Sequence, residues 1–144
     1  MIIRKAEEKD LPALARLAGA MGYSSNMSLV SERYKQVVSL RDNIIFVAED
    51  QENGVIGWVH VLPRILVLTE PMAEIGGLVV DELYRRRGIA TELVMEAEKW
   101  VRSHGYDKII VRSNVKRPES HDFYQSAGYE CIKEQKIYVK TVCG

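Results

Sequence analysis

The stretch from Leu78 to Thr91 constrains this chain more than any other. The apolar run Leu78-Val79-Val80 leads through Asp81-Glu82-Leu83-Tyr84 into Arg85-Arg86-Arg87, and Gly88-Ile89-Ala90-Thr91 restarts the chain as a helix. The first amides of a helix have no partners within it and carry the positive end of its dipole. A strand, a basic loop and a helix N-terminus in series therefore make an anion site suited to a pyrophosphate. Gly88 lets the backbone approach such a group closely, and Ala90 keeps the next contact small. A dinucleotide fingerprint would need more glycines after the strand, and a P-loop would need Gly-Lys followed by Ser or Thr, so neither fits. The competing reading of the three arginines is a solvated charge run, and their place between strand and helix weighs against it.

Bulk properties narrow the remaining options. The 144 residues fit one domain, 1–144, that can bury a core without disulfides or structural metal. The 20 Lys and Arg balance the 20 Asp and Glu, so no overall field draws the molecule to nucleic acid or a membrane, and charge recognition has to be local. No basic and aromatic interleaving continues past the triplet, which argues against a nucleic-acid module. Cys131 and Cys143 lack metal-ligand spacing and read as free thiols, and no His or Cys cluster offers a metal site. The N-terminus has no signal-like apolar region and no run approaches a membrane span, so the expected location is cytoplasmic.

Periodicity gives the expected element order. Ile2 to Lys5 reads as a strand; Asp10 as an N-cap, followed by Pro12 and by Leu11, Leu14, Leu17, Ala18 and Met21 at helical spacing up to Gly22. A second amphipathic helix is expected after Ser28, with Val30, Tyr34, Val37, Val38 and Arg41 on one side. Ile44–Ala48 and Val55–Val61, joined through Asn53-Gly54, form a hairpin pattern. Glu74–Val80 should be a strand, Gly88 to Gly105 a helix, Lys108–Ser113 a strand, and Pro118 to Gly128 a short helix. Tyr129–Val142 is expected to supply a final pair of strands. The fold class is α/β (α+β), a mixed, mostly antiparallel central sheet flanked by helices.

Arg85, Gly88 and Ala90 match the cofactor motif of the GNAT superfamily of N-acetyltransferases: Gln or Arg, two residues, Gly, one residue, Gly or Ala. The likeness extends to Ile3-Arg4-Lys5-Ala6 with Asp10-Leu11, to the strands Ile75–Val80 and Asp107–Ser113, and to Phe123-Tyr124-Gln125-Ser126-Ala127-Gly128-Tyr129. Asn114-Val115-Lys116-Arg117 with His121-Asp122-Phe123-Tyr124 resembles the small-molecule branch that includes aminoalkylphosphonate acetyltransferases. The resemblance implies a GNAT-like acyl-CoA N-acyltransferase fold with acetyl-CoA as co-substrate. Main-chain groups of Leu78, Val79 and Val80 would pair with the pantetheine arm, and Arg85, Arg86, Arg87, Gly88, Ile89, Ala90 and Thr91 would surround the pyrophosphate. It also implies that the N–H of Val79 or Leu78 stabilises the thioester oxygen, and that homodimers form, with the late strands pairing between subunits. One departure is that the family's usual Asn falls at Arg117 and its usual Ala at Ser120. Asn114 is then an alternative cofactor contact, or a cap of the following turn.

Acetyl transfer to an amine requires a neutral nucleophile, a polarised carbonyl and a protonated leaving thiolate. Tyr124 matches the family's general acid, against a reading as a helix aromatic beside Phe123. Glu74 is the candidate base, against an exposed strand-end carboxylate. His60, on a neighbouring strand, is an alternative base, and His121 lies on the same helical face as Tyr124. The expected function is an N-acetyltransferase acting on a primary amine of a small molecule in a ternary complex, since no Cys stands in a catalytic setting. The alternatives are a non-catalytic acyl-CoA-binding sensor and a protein or peptide N-acetyltransferase.

Overall fold

The computed structural model describes residues 1–143. Its elements are β1 (Ile2–Lys5), α1 (Leu11–Ala20), α2 (Met27–Ser39), β2 (Ile44–Asp50), β3 (Gly54–Arg64), β4 (Met72–Val80), α3 (Ile89–Ser103), β5 (Ile109–Val111) and α4 (Pro118–Ser126). Short 3-10 turns precede α1, at Glu8–Asp10, and follow β4, at Glu82–Tyr84. The five strands lie in sequence order; all neighbours are antiparallel except β4 and β5, which are parallel. Two units compose the chain, Met1–Arg112 and Ser113–Gly144. The whole sheet belongs to the first.

Alternation along the strands sends successive side chains to opposite faces. On one face Leu11, Leu14 and Leu17 of α1 pack with Ile45, Val47, Val55 and Val79, and Val30, Tyr34 and Val37 of α2 close over them with Trp58. On the other, α3 buries Ile89, Leu93, Val94, Ala97 and Val101, with Leu93 and Ile89 beside Gly57. Leu93 is fully buried, so Leu93→Ala should cost about 2–5 kcal/mol of stability.

Several boundaries differ from expectation, each for a local reason. Asp10 does not cap α1 through its side chain. Its two oxygens instead accept from both terminal nitrogens of Arg4 at 2.8 Å, and Oδ2 also accepts from the Glu7 amide at 2.7 Å. Burial alone would raise this carboxyl, but those hydrogen bonds outweigh it and hold the group below the usual carboxylate range. The second helix begins one residue before Ser28, because the Asn26 side chain accepts from the Leu29 amide and caps it. Arg41 lies beyond that helix. The expected closing strands at Tyr129–Val142 are absent: residues 129–143 form no strand, and Ile132, Ile137, Tyr138, Val139 and Val142 are exposed. The segment contains strand-forming residues such as Ile137, Tyr138 and Val139, but a strand needs a pairing partner as well as propensity.

Candidate active site

The site grows from an irregularity in β4. Opposite β3, His60 pairs with Gly77 and Val61 with Ile75, so Gly76 is an extra residue and β4 bulges there. On its other side β4 pairs with β5 only at Ala73, Glu74 and Ile75. Beyond Ile75 no strand among the described residues takes that edge. Since β3 occupies the opposite edge from Gly77 to Val80, alternate amides and carbonyls of this stretch point to the open side. Leu78, Val79 and Val80 thus present the donors and acceptors an extended ligand needs.

The end of β4 feeds the basic loop. The Asp81 amide bonds to the Ile56 carbonyl at 2.7 Å, and its carboxylate accepts from the Leu83 amide and from Arg16 of α1. Arg86 has φ +63° and Gly88 φ +79°, both in the left-handed region. For Gly88 the space around the missing Cβ is open, so backbone conformation rather than crowding calls for glycine. Gly88 is the N-cap of α3 and no side chain caps that end, which leaves the amides of Ile89, Ala90 and Thr91 aimed out of the helix for a ligand. Ile89 itself is buried and anchors the first turn, whereas Arg85, Arg86, Arg87 and Thr91 are exposed.

Sequence reasoning missed how this loop is held. The Tyr84 hydroxyl donates to Asp50 at 3.4 Å and accepts from the Asn53 side chain, tying the loop to the β2–β3 hairpin. The Arg87 guanidinium lies over the Tyr84 ring, 5.1 Å from its centroid. The Tyr84 phenol is pushed up, by burial and then by the Asp50 charge, and so stays protonated as a donor.

Polar side chains gather on the face of β4 that α1 and α2 cover. Gly76 is exposed although it lies in the middle of a strand, so solvent reaches the backbone floor there. A Cβ on Gly77 would meet the Trp58 ring at 2.9 Å, and one on Gly76 would come 3.1 Å from His60 Nδ1. Nε2 of His60 is 3.0 Å from Asn43 Oδ1. With Oδ1 assigned as the accepting carbonyl, Nε2 carries the proton and Nδ1 presents its lone pair to the Gly76 floor. Burial pushes His60 below the usual histidine value, so the ring is neutral at pH 7. Glu74 is not a free strand-end carboxylate: its Oε1 accepts from Arg64 Nη1 at 3.2 Å and lies 3.4 Å from Arg112 Nε. Register created these pairs, since Leu62 faces Glu74 and Arg64 faces Met72 across the β3–β4 ladder.

The second unit holds Asn114 and Tyr124. The Asn114 side chain accepts from the Lys116 amide at 2.9 Å, a turn cap, and its carbonyl is 2.8 Å from His121 Nε2. Tyr124 packs edge-on against Phe123 and Tyr129. Burial pushes its phenol up to about 12, so it is protonated across the physiological range. Elsewhere, a cavity of about 480 Å³ lies between α1 and the start of α2, lined by Pro12, Ala15, Arg16, Gly19, Tyr23, Ser25 and Met27. Its one charged side chain, Arg16, is already engaged by Asp81 and the Val55 carbonyl. Among the described residues no group of His, Cys, Asp or Glu is arranged to hold a metal, and no helix is long and apolar enough to cross a membrane.

Residues 11–129 match the model of the acetyltransferase (GNAT) family. N-acetyltransferase 8 of Homo sapiens is 32% identical over 121 residues, which are 78% of this chain and 53% of that protein. Aminoglycoside N(6')-acetyltransferase type 1 of Acinetobacter genomosp. 13 is 33% identical over 76 residues, 53% of this chain and 51% of the relative. The chain spans about half the length of the curated relatives it matches. Among solved structures, the aminoglycoside 6'-N-acetyltransferase AAC(6')-IG from Acinetobacter haemolyticus superposes with a TM-score of 0.84, covering 99% of this chain and 100% of that one at 20% identity. AAC(6')-Iy in complex with a bisubstrate analog of coenzyme A and acetylneamine gives 0.85 over 98% of both chains at 16% identity. At those identities the likeness establishes the fold.

Proposed function

The chain belongs to the GNAT acetyltransferase family, and from that premise we propose that it transfers the acetyl group of acetyl-CoA to a primary amine of a small molecule by direct attack in a ternary complex. The observation that carries this reading is the open edge of β4 beyond Ile75, leading into the uncapped N-terminus of α3. Leu78, Val79 and Val80 would bind the pantetheine arm as an added strand. The amides from Gly88 to Thr91 would hold the pyrophosphate, with Arg85, Arg86 and Arg87 supplying charge. Asn114 is assigned to the cofactor as well, through main-chain groups, because its side-chain oxygen serves the turn. The amide of Val79 or Leu78 donates to the thioester oxygen as charge develops there.

The amine approaches over Gly76. Two groups on this face can take its proton, Glu74 and His60. The fixed tautomer of His60 favours His60, since Nδ1 is an acceptor beside the open floor while one oxygen of Glu74 is occupied by two guanidiniums. Tyr124 returns a proton to the departing thiolate, a role its neutral phenol supports. In balance, the amine nitrogen bonds to the acetyl carbon, the carbon–sulfur bond breaks, and one proton leaves nitrogen as another reaches sulfur.

The curated relatives named for aminoglycosides support a small-molecule acceptor. We place the enzyme in the cytoplasm, in keeping with its exposed free thiols Cys131 and Cys143. We further propose a homodimer, in which the apolar side chains exposed along 129–143 are covered by a second copy; light scattering at the monomer mass would contradict it. The single-domain reading of 1–144 stays with this proposal, and limited proteolysis that releases a stable Met1–Arg112 fragment would oppose it.

Amine-dependent release of free thiol from acetyl-CoA tests the transfer. Cofactor binding without turnover on any amine would instead favour a sensor. Tyr124→Phe should lower kcat by about 100-fold with little change in acetyl-CoA affinity. Because Tyr124 stays protonated to about pH 12, its loss should not remove an alkaline limb below pH ~10.

A further inference from the structure

The loop proposed to hold the pyrophosphate carries strain that nothing within it resolves. Arg86 sits at φ +63°, a sparsely populated conformation for a residue with a side chain, and such a residue stays there only where its surroundings hold it. Among the described residues no backbone hydrogen bond holds the amides of Arg86 and Arg87, and Arg87 is the one arginine of the triplet whose side chain has a partner, the Tyr84 ring. The restraint comes from outside the loop. Asn53, in the turn between β2 and β3, donates from Nδ2 to the Tyr84 hydroxyl and, at 3.1 Å, to Asp50 Oδ2. The Tyr84 hydroxyl donates to that same oxygen at 3.4 Å, so each of the three groups bonds to the other two, with Asn53 the nearer partner of Tyr84. These partners stand 31 and 34 residues from Tyr84 in sequence. Water competes for such groups at the surface, so the network adds little to global stability. Its effect is local: it fixes the end of the loop that leads into Arg85.

We propose that Tyr84 is a positioning residue for acetyl-CoA: with its hydroxyl docked on Asn53 and Asp50, it holds the 85–88 loop in the form that receives the pyrophosphate, and its ring keeps the Arg87 charge beside that loop. The proposal rests on the reading that assigns this loop to the cofactor. It adds a determinant of cofactor affinity that lies outside both the β4 edge and the α3 end, in the β2–β3 turn. A ligand that binds a loose loop has to order it, and the ordering is subtracted from affinity. A loop already fastened to the hairpin needs less ordering when the ligand arrives. An exposed guanidinium gains little from one charge contact while it is free to move, whereas Arg87, 5.1 Å from the centroid of the Tyr84 ring, starts from a restricted position.

The test is calorimetric titration of coenzyme A into the full chain, as wild type, Tyr84→Phe, Tyr84→Leu, Asn53→Ala and the double variant Tyr84→Phe/Asn53→Ala. Tyr84→Phe keeps the ring and loses the hydroxyl, and should raise the Kd by about fivefold, the range of one hydrogen bond. Asn53→Ala should do the same from the other side of the contact. The double variant should again lose about fivefold, where independent effects would multiply to about 25-fold. Tyr84→Leu, which also removes the platform under Arg87, should weaken binding by a further two- to fivefold or so. Leu83→Ala, 80% exposed in the same turn, should leave the Kd unchanged. In turnover, the acetyl-CoA KM should rise in the Tyr84 and Asn53 variants while kcat and the acceptor KM hold, a split that general loosening of the fold would not give. Asn53→Ala, a change in an exposed turn, carries the test if Tyr84→Phe does not fold. Wild-type affinity retained in both single variants, or losses that multiply in the double one, overturns the positioning role and leaves the cofactor reading intact. Failure of coenzyme A to bind the wild-type protein sinks the cofactor reading, and the role of Tyr84 with it.

Discussion

The edge of β4 and the face of the same strand are built in opposite ways. The edge offers backbone: amides and carbonyls from Gly77 to Val80, then the helix end at Gly88 to Thr91, contiguous in sequence and needing only the right local conformation. The face offers side chains drawn from separate places: Asn43 before β2, His60 and Arg64 on β3, Glu74 on β4 and Arg112 after β5. A site of the first kind tolerates side-chain change as long as dihedral angles hold. A site of the second kind is set by register, and one residue of slip would turn every one of these groups to the wrong side of the sheet.

This contrast predicts distinct signatures. The largest effect is expected on the face: His60→Gln should lower kcat by about 100-fold, within the usual range for losing a general base, while acetyl-CoA affinity holds. Equal loss in Glu74→Gln with none in His60→Gln would move the base to Glu74. The His60 value lies below that of an unfolded histidine. Between about pH 6.5 and that lowered value the unfolded chain therefore binds the extra proton and the folded one does not, so stability falls as pH drops through this window. Denaturant titrations should show that slope in wild type and a reduced one in His60→Gln.

On the edge, Gly88→Val should act mainly on the cofactor. Forcing a β-branched residue to φ +79° costs on the order of 1–3 kcal/mol, so the acetyl-CoA KM should rise by about 10- to 100-fold with the acceptor KM little changed. A kcat defect alone would show that the loop serves chemistry instead. The smallest effect belongs to single charges in the triplet: Arg85→Gln should weaken acetyl-CoA by only about threefold, and by less at high salt, because the side chain is exposed and screened.

The same division explains what the sequence revealed. The conformation from β4 into α3 was legible because a strand, a basic loop, a glycine and a helix start are adjacent, and local conformation follows from local residues. Helix stops at Gly22 and Gly105, both at positive φ, and the hairpin through Asn53-Gly54 were legible for that reason too. The side-chain grouping on the face of β4 was not. Asn43 beside His60, and Arg64 and Arg112 around Glu74, are neighbours only through strand pairing, and the Gly76 bulge that opens the floor shifts that pairing by one residue. Glu74 was picked out as the candidate base, without the two guanidiniums that hold its oxygen. Tyr84 had no role in the sequence reading, though its hydroxyl fastens the loop to the hairpin. The expected strand pair at Tyr129–Val142 failed for a related reason: strand-forming residues mark a segment able to form a strand, and a strand also needs a partner that propensity cannot name.

Hydrogen exchange on adding coenzyme A tests the central claim most directly, because it reads backbone amides one by one. Slowed exchange is predicted at alternate amides from Gly77 to Val80 and at Gly88 through Thr91, with Ile2–Lys5 on the far edge of the sheet unchanged. Unaltered exchange at both stretches with saturating coenzyme A, or protection confined to other parts of the chain, would contradict the assignment of the β4 edge and the α3 N-terminus to the cofactor.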